Sequence, residues 1–140
     1  MPLIHKLEET KGTLLVVSSG AAKLMSPRCA PYAATKAAVH TFIDSIRQDL
    51  ILHSSNVTLI TSTLGNIDTP NAIKATKSEI DHLGWYSARS TARSILLAVL
   101  AKQQHHNFPF VKMWFPIAIR QLMPISVDSV IRNVVAKGFS

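Results

Sequence analysis

Tyr32 and Lys36 bracket the run Tyr-Ala-Ala-Thr-Lys, and a helix through residues four apart brings both side chains to one face. They can then serve one site. A phenol titrates near 10, too high for easy proton exchange at neutral pH, and a cation within about 4 to 6 Å brings that down by roughly 1 to 3. Lys36 can be that cation. Ala33, Ala34 and Thr35 between them are small enough to let a flat ligand lie against the helix. A tyrosine and a lysine at this spacing also arise by chance in ordinary helices, so the pair needs a third group to carry weight. Ser19 is such a group: it stands thirteen residues before Tyr32, directly after an aliphatic run, and its hydroxyl can hydrogen-bond a substrate oxygen.

Positioning these three groups takes a strand, a helix and a return strand. Residues 13–18, Thr-Leu-Leu-Val-Val-Ser, form an unbroken β-branched and aliphatic run, which predicts a parallel strand covered on both faces. Ser19 then falls at the carboxyl end, where open α/β sheets bind ligands. After a loop holding Gly20, Pro27 and Pro31, residues 32–52 read as a long helix. Its buried stripe is expected at Ala38, Phe42 and Ile46, with Val39 and Ile43 beside it. Residues 56–62 read as the next strand, so the unit has a right-handed crossover and the fold class is α/β. Upstream, residues 2–9 read as the tail of a helix ended by Lys11 and Gly12. Downstream, Gly65 and Pro70 open a loop, residues 71–80 suit a short mobile helix, and Ser87 caps a helix that runs to about Lys102. Ala92, Ile95, Leu96 and Val99 are expected to face inward on it. A last strand is expected at residues 108–112, then two helices, at residues 114–123 and 126–136, around Pro124.

Residues 12–19, Gly-Thr-Leu-Leu-Val-Val-Ser-Ser, followed at residues 32–36 by Tyr-Ala-Ala-Thr-Lys, resemble the catalytic stretch of short-chain dehydrogenases/reductases in both type and spacing. The resemblance implies the C-terminal half of that fold, a partial Rossmann-like, doubly wound parallel sheet. It makes residues 1–140 a single incomplete NAD(P)-binding domain, with residues 1–75 in the catalytic core and residues 76–140 as substrate lid and C-terminal helices. By the same resemblance Tyr32 is the general acid/base, Lys36 assists it and holds the cofactor ribose, and Ser19 orients the substrate oxygen. The family's next landmark, usually Pro-Gly, stands here as Leu64 and Gly65, followed by Asn66, Ile67, Asp68 and Thr69. That departure, with Ala72, Ile73, Lys74 and Ala75 nearby, is similar to the 11-beta-hydroxysteroid dehydrogenase branch. There the segment matching residues 67–71 contacts the nicotinamide carboxamide and phosphates, which implies cofactor contacts for Ile67, Thr69 and Asn71. A plain strand-to-helix turn is the ordinary reading of the same residues. NADP is the cofactor the resemblance favours, with NAD open.

None of the five glycines belongs to a glycine-rich strand-to-helix fingerprint, so nothing here seats a pyrophosphate on a helix N-terminus. That fingerprint, the family's Asn-Asn-Ala-Gly segment and its catalytic asparagine are expected before Met1. Two readings stay open: an oxidoreductase interconverting a secondary alcohol and a ketone on a lipophilic, steroid-like substrate, or a truncated, non-catalytic fragment or isoform. The second would act as a dimerisation or peripheral membrane module.

The rest of the chain narrows the classes. With 140 residues and 47% hydrophobic content it can build one core. The formal charge of +7 comes from scattered Lys and Arg with no nucleic-acid module, so no nucleic-acid partner is expected. Cys29 is the only cysteine and cannot form an intrachain disulfide. His105 and His106 are adjacent, so their side chains diverge, and no metal site is expected; His5, His40, His53 and His82 are isolated. The N-terminus lacks a signal-peptide core, and no apolar stretch reaches the roughly 18 residues of a membrane span. Phe108, Phe110, Trp114, Phe115, Ile117 and Ile119 with Lys112 and Arg120 suit a membrane interface, core packing or a dimer contact. The family branch adds a homodimer and the endoplasmic reticulum membrane as expectations, with a cytoplasmic location as the other.

Overall fold

A parallel strand must be left and re-entered by a crossover, and the chain makes two such crossovers. The computed structural model describes residues 2–24 and 26–138. Helix α1 (Pro2–Thr10) ends at Lys11 and Gly12 and leads into strand β1 (Thr13–Ser19). A single 3-10 turn (Gly20–Ala22) follows, then α2 (Ala30–Leu52) and β2 (Thr58–Leu64). Helix α3 (Pro70–Ile80) and α4 (Ala88–Leu100) precede β3 (His105–Phe108), and α5 (Phe110–Leu122) and α6 (Pro124–Ala136) close the fold. The sheet order is β1-β2-β3, all parallel, with Ser19 beside Leu64 and Leu64 beside Phe108 at the carboxyl edge. This is an α/β arrangement of partial Rossmann type.

Helices cover both faces of β2, and the alternation of its side chains shows which covers which. Thr61 and Thr63 point to α2, where Arg47 Nη2 donates to Thr61 Oγ1 at 3.2 Å and His40 Nε2 lies 3.4 Å from Thr63 Oγ1. Ser62 points the other way, toward His106 of β3 and Ser94 of α4. The main apolar cluster is Ile43, Leu50, Val57 and Leu59, with Ile4, Leu7, Leu14, Val16, Val39 and Ile46 against it. It ties α1, α2, β1 and β2 together.

Several expected faces are rotated. On α2 the buried residues are Ala33, His40, Ile43, Arg47 and Leu50, while Ala38 is exposed and Phe42 is 55% exposed. The cause is the polar strand beneath it: Thr61 and Thr63 give His40 and Arg47 hydrogen-bond partners, so polar helix residues turn inward. On α4, Thr91 and Ala98 are buried, whereas Ala92 and Leu96 face out. β1 is not covered on both faces, since Val17 is 46% exposed. The last strand comes earlier than residues 108–112, because the polar run His105, His106 and Asn107 is paired into the sheet and α5 begins right after Pro109.

His106 is buried with Ser62 Oγ 2.8 Å from Nδ1 and Ser94 Oγ 2.9 Å from Nε2. A neutral imidazole has one donor and one acceptor, so one serine donates to the ring and the other accepts from it. Burial holds the pKa of His106, and that of His105, below the usual histidine value. For His40 burial is also the main cause, reinforced by Lys23, His105 and Arg47 and opposed by Asp44, and the value falls from 6.5 to about 4. The unfolded chain therefore binds a proton at His40 below pH 6.5 that the folded chain refuses until about pH 4. Stability is expected to be full above pH 6.5 and to fall on acidification toward pH 4, by at most about 1.4 kcal/mol per pH unit from this one site. Urea unfolding midpoints at pH 7 and pH 5 check this; His40→Gln should flatten the dependence.

Candidate active site

Three short features meet at the carboxyl end of β1. Ser18 is buried and its hydroxyl donates to the Lys36 carbonyl at 3.4 Å, which joins the strand end to the second turn of α2. Lys36 Nζ donates back to the Val17 carbonyl at 3.4 Å and stands 5.8 Å from the centroid of the Tyr32 ring. Tyr32 is half exposed on the first turn of α2, and its carbonyl accepts from the Thr35 hydroxyl at 2.7 Å. Pro31 in that first turn suits a helix start, since its missing N–H would have had no partner there. Lys36 is thus held by the strand on one side and lies against the Tyr32 ring on the other.

Ser19 ends β1 and caps the 3-10 turn, its Oγ accepting from Ala21 N at 3.3 Å. A hydroxyl oxygen that accepts one hydrogen bond keeps its own hydrogen to donate. The cap fixes the oxygen and leaves that hydrogen for a ligand.

Ile67, Thr69 and Asn71 lie in the connection from β2 to α3. Ile67 bridges to Tyr86, with Asp68 N donating to Tyr86 O and Tyr86 N to Asn66 O, each at 2.9 Å. Thr69 Oγ1 accepts from Ala72 N at 3.3 Å, a helix cap like that of Ser19, and Asn71 is exposed in the first turn of α3. The Asp68 carboxylate accepts from Ala88 N at the start of α4, where a negative charge is favoured. The connection is therefore fastened at both ends.

Two further side chains border this edge: Met113, which sequence patterns did not single out, and Lys112, which they assigned to a membrane interface or to packing. Met113 of α5 sits over the strand ends: its sulfur would lie 2.7 Å from a Cβ added at Gly20 and 3.7 Å from one added at Gly65. Lys112 stands 5.4 Å from the Tyr86 ring, which in turn meets Phe108 edge-on at 5.7 Å. The available signal for Met113 was the pair of glycines at matching strand ends, since a bare backbone invites a neighbour to approach. Among the described residues no group of three or more His, Cys, Asp or Glu is placed to hold a metal ion.

The sequence fits the family model for short chain dehydrogenase over residues 1–80. It is 32% identical over 127 residues to the hydroxysteroid 11-beta-dehydrogenase 1-like protein of Danio rerio, covering 91% of this chain and 44% of that protein. Similarity to the hydroxysteroid 11-beta-dehydrogenase 1-like protein A of Xenopus laevis is 28% identity over 128 residues, covering 86% of this chain and 44% of that one. With the hydroxysteroid 11-beta-dehydrogenase 1-like protein of Gallus gallus it is 34% over 94 residues, 67% of this chain and 31% of the relative. The chain thus spans less than half the length of the curated relatives it matches.

The contact between Met113 and Gly20 makes a direct prediction. Gly20→Ala is expected to push the flexible Met113 side chain aside at a cost of about 1 kcal/mol or less, and Met113→Ala in the same chain should remove that cost. Thermal or urea unfolding of the two single variants and the double variant measures the coupling.

Proposed function

The chain belongs to the short-chain dehydrogenase family, and from that premise we propose that the complete protein interconverts a secondary alcohol and a ketone on a lipophilic, steroid-like substrate. The observation that carries this reading is the placement of Lys36 between the Val17 carbonyl and the Tyr32 ring, at the end of the strand that bears Ser19. In the reducing direction Ser19 donates its free hydrogen to the substrate oxygen and holds it in place. Tyr32 transfers its phenolic proton to that oxygen, and the Lys36 charge compensates the negative charge left on the ring. In the oxidising direction the same proton returns to Tyr32.

The residues present fit one end of a dinucleotide. Lys36, anchored by the Val17 carbonyl, would hold a ribose hydroxyl, and Ile67, Thr69 and Asn71 lie in the connection that leaves the same edge of the sheet. The pyrophosphate end has no counterpart, because no glycine-rich strand-to-helix turn occurs in residues 1–140. When bound, a nicotinamide cofactor supplies or accepts the hydride. NADP is our choice over NAD, on resemblance to the hydroxysteroid branch. Tyr32→Phe in the full-length protein should lower kcat by about 100-fold or more while cofactor affinity, read by nicotinamide fluorescence, stays within about twofold. Retained turnover in that variant would remove the mechanism.

A second reading, attachment to a membrane surface, is favoured by α5 and α6. Phe110 and Trp114 stack with ring centroids 6.0 Å apart, and both are more than half exposed, as are Val111 and Phe115. Leu122, Met123 and Ile125 are exposed at the junction of the two helices. No described helix is long and apolar enough to cross a membrane, so contact through α5 and α6 themselves is at the surface. The open groove between α1 and α2, lined by Ile4, Ile46 and Leu50 among others, suits helix pairing in a homodimer. Liposome co-sedimentation tests the membrane reading: Trp114→Ser with Phe115→Ser should weaken binding to anionic vesicles about tenfold or more.

A further inference from the structure

The end of the sheet opposite the reacting groups holds a motif of its own. Asn56, Val57 and Thr58 form the tripeptide whose asparagine accepts an N-linked glycan, an asparagine followed two residues on by a hydroxyl with no proline between. None of the other four asparagines is followed in this way. A tripeptide this short also arises by chance, so its place in the fold decides whether it can be used.

Asn56 lies in the connection from α2 to β2. It is exposed, and among the described residues no hydrogen bond ties its side-chain amide to the protein. Val57 beside it is buried in the main apolar cluster, and Thr58 begins β2 with its N–H bonded to the Gly12 carbonyl at 3.0 Å. The valine thus pins the tripeptide to the core and leaves the asparagine at the surface. Because β2 spans 7 residues, its Asn56 end is roughly 20 Å from the carboxyl edge that bears Ser19. A bulky group on Asn56 leaves the reacting edge unobstructed.

The neighbouring surface is apolar. Ile51 and Leu52, the last two residues of α2, are 59% and 78% exposed. Ser54 has a φ of 52°, and Ser55 N donates back to the Leu50 carbonyl at 2.8 Å, which folds the chain against the helix end and brings Asn56 beside this pair. Two adjacent aliphatic side chains left to water invite association with other chains, and a hydrated saccharide next to them opposes it. We propose that Asn56 carries an N-linked glycan that screens Ile51 and Leu52, which places this α/β unit on the lumenal or extracellular side of a membrane. In the transfer the Asn56 amide nitrogen bonds to the anomeric carbon of an oligosaccharide carried on a lipid diphosphate. The bond from that carbon to the diphosphate oxygen breaks, the lipid diphosphate leaves with the electron pair, and the amide gives one N–H proton to a base. Thr58 is paired with Thr13 once β2 has joined the sheet, so the transfer precedes that pairing. The modification uses none of the oxidoreductase residues.

The test uses the full-length protein made in cultured animal cells and treated with peptide N-glycosidase, which turns a glycan-bearing asparagine into an aspartate. Mass spectrometry of the peptide that spans residue 56 should show the acid at that position only after treatment. Thr58→Ala should abolish the conversion, whereas Thr58→Ser, which keeps the hydroxyl, should retain it. An Asn56 that stays unmodified in the wild-type protein, or a conversion that survives Thr58→Ala, would overturn the assignment. For the screening, Asn56→Gln should raise light scattering at equal concentration about twofold or more, and adding Ile51→Ser with Leu52→Ser should remove the increase. Scattering that does not rise in Asn56→Gln, or that rises equally without the two aliphatic side chains, would overturn the screening role.

Discussion

Parallel pairing decides where everything else can go. Because β1, β2 and β3 run the same way in the register that sets Ser19, Leu64 and Phe108 in one row, all three strands discharge their chains onto a single edge. The turn that carries Lys23, the connection with Ile67 and Thr69, and the start of α5 are forced to share that edge. Chemistry collects there for a geometric reason: it is where loops from separate parts of the chain converge, while the strand interiors are already covered.

The interior holding that edge in place is unusual in being polar along its central strand. Thr61, Ser62 and Thr63 are all nearly inaccessible, and each meets a partner: Arg47, His106 and His40 respectively. Such contacts add little net stability, but each would be costly to break, since the remaining group would be left buried without a partner. They fix the rotation of α2 and the register of β3. The rotation of α2 matters to the site, because it decides which way Tyr32 and Lys36 face relative to β1.

At the other end of the chain, α5 joins two roles. Its inner face, with Met113, Ile117 and Arg120, closes over the strand ends and the 3-10 turn. Its outer face, with Phe110, Trp114 and Phe115, is left to solvent. Pro109 directly before α5 and Pro116 within it place the helix against the sheet edge without a long connecting loop. A single helix thereby borders both the reacting groups and the surface.

Local order was legible in the amino-acid sequence. Tyr32 and Lys36 four apart, the aliphatic run ending at Ser19, the caps at Ser87 and Gly12, and the break at Pro124 are short-range patterns, and the elements appear within a few residues of where those patterns put them. The family was legible too, since its motif lies within 25 residues of contiguous chain. What only the tertiary structure decided were the pairings across long separations. His40 and Arg47 turn inward only because Thr63 and Thr61 lie beneath them, and His106 enters a strand only because Ser62 and Ser94 take both its nitrogens. Hydrophobic periodicity cannot register such residues, because it counts them as polar and assigns them to solvent. Met113 over Gly20 and Gly65, and Lys23 beside Arg120, are likewise products of packing between segments about 50 to 100 residues apart, a distance at which sequence spacing carries no geometric information.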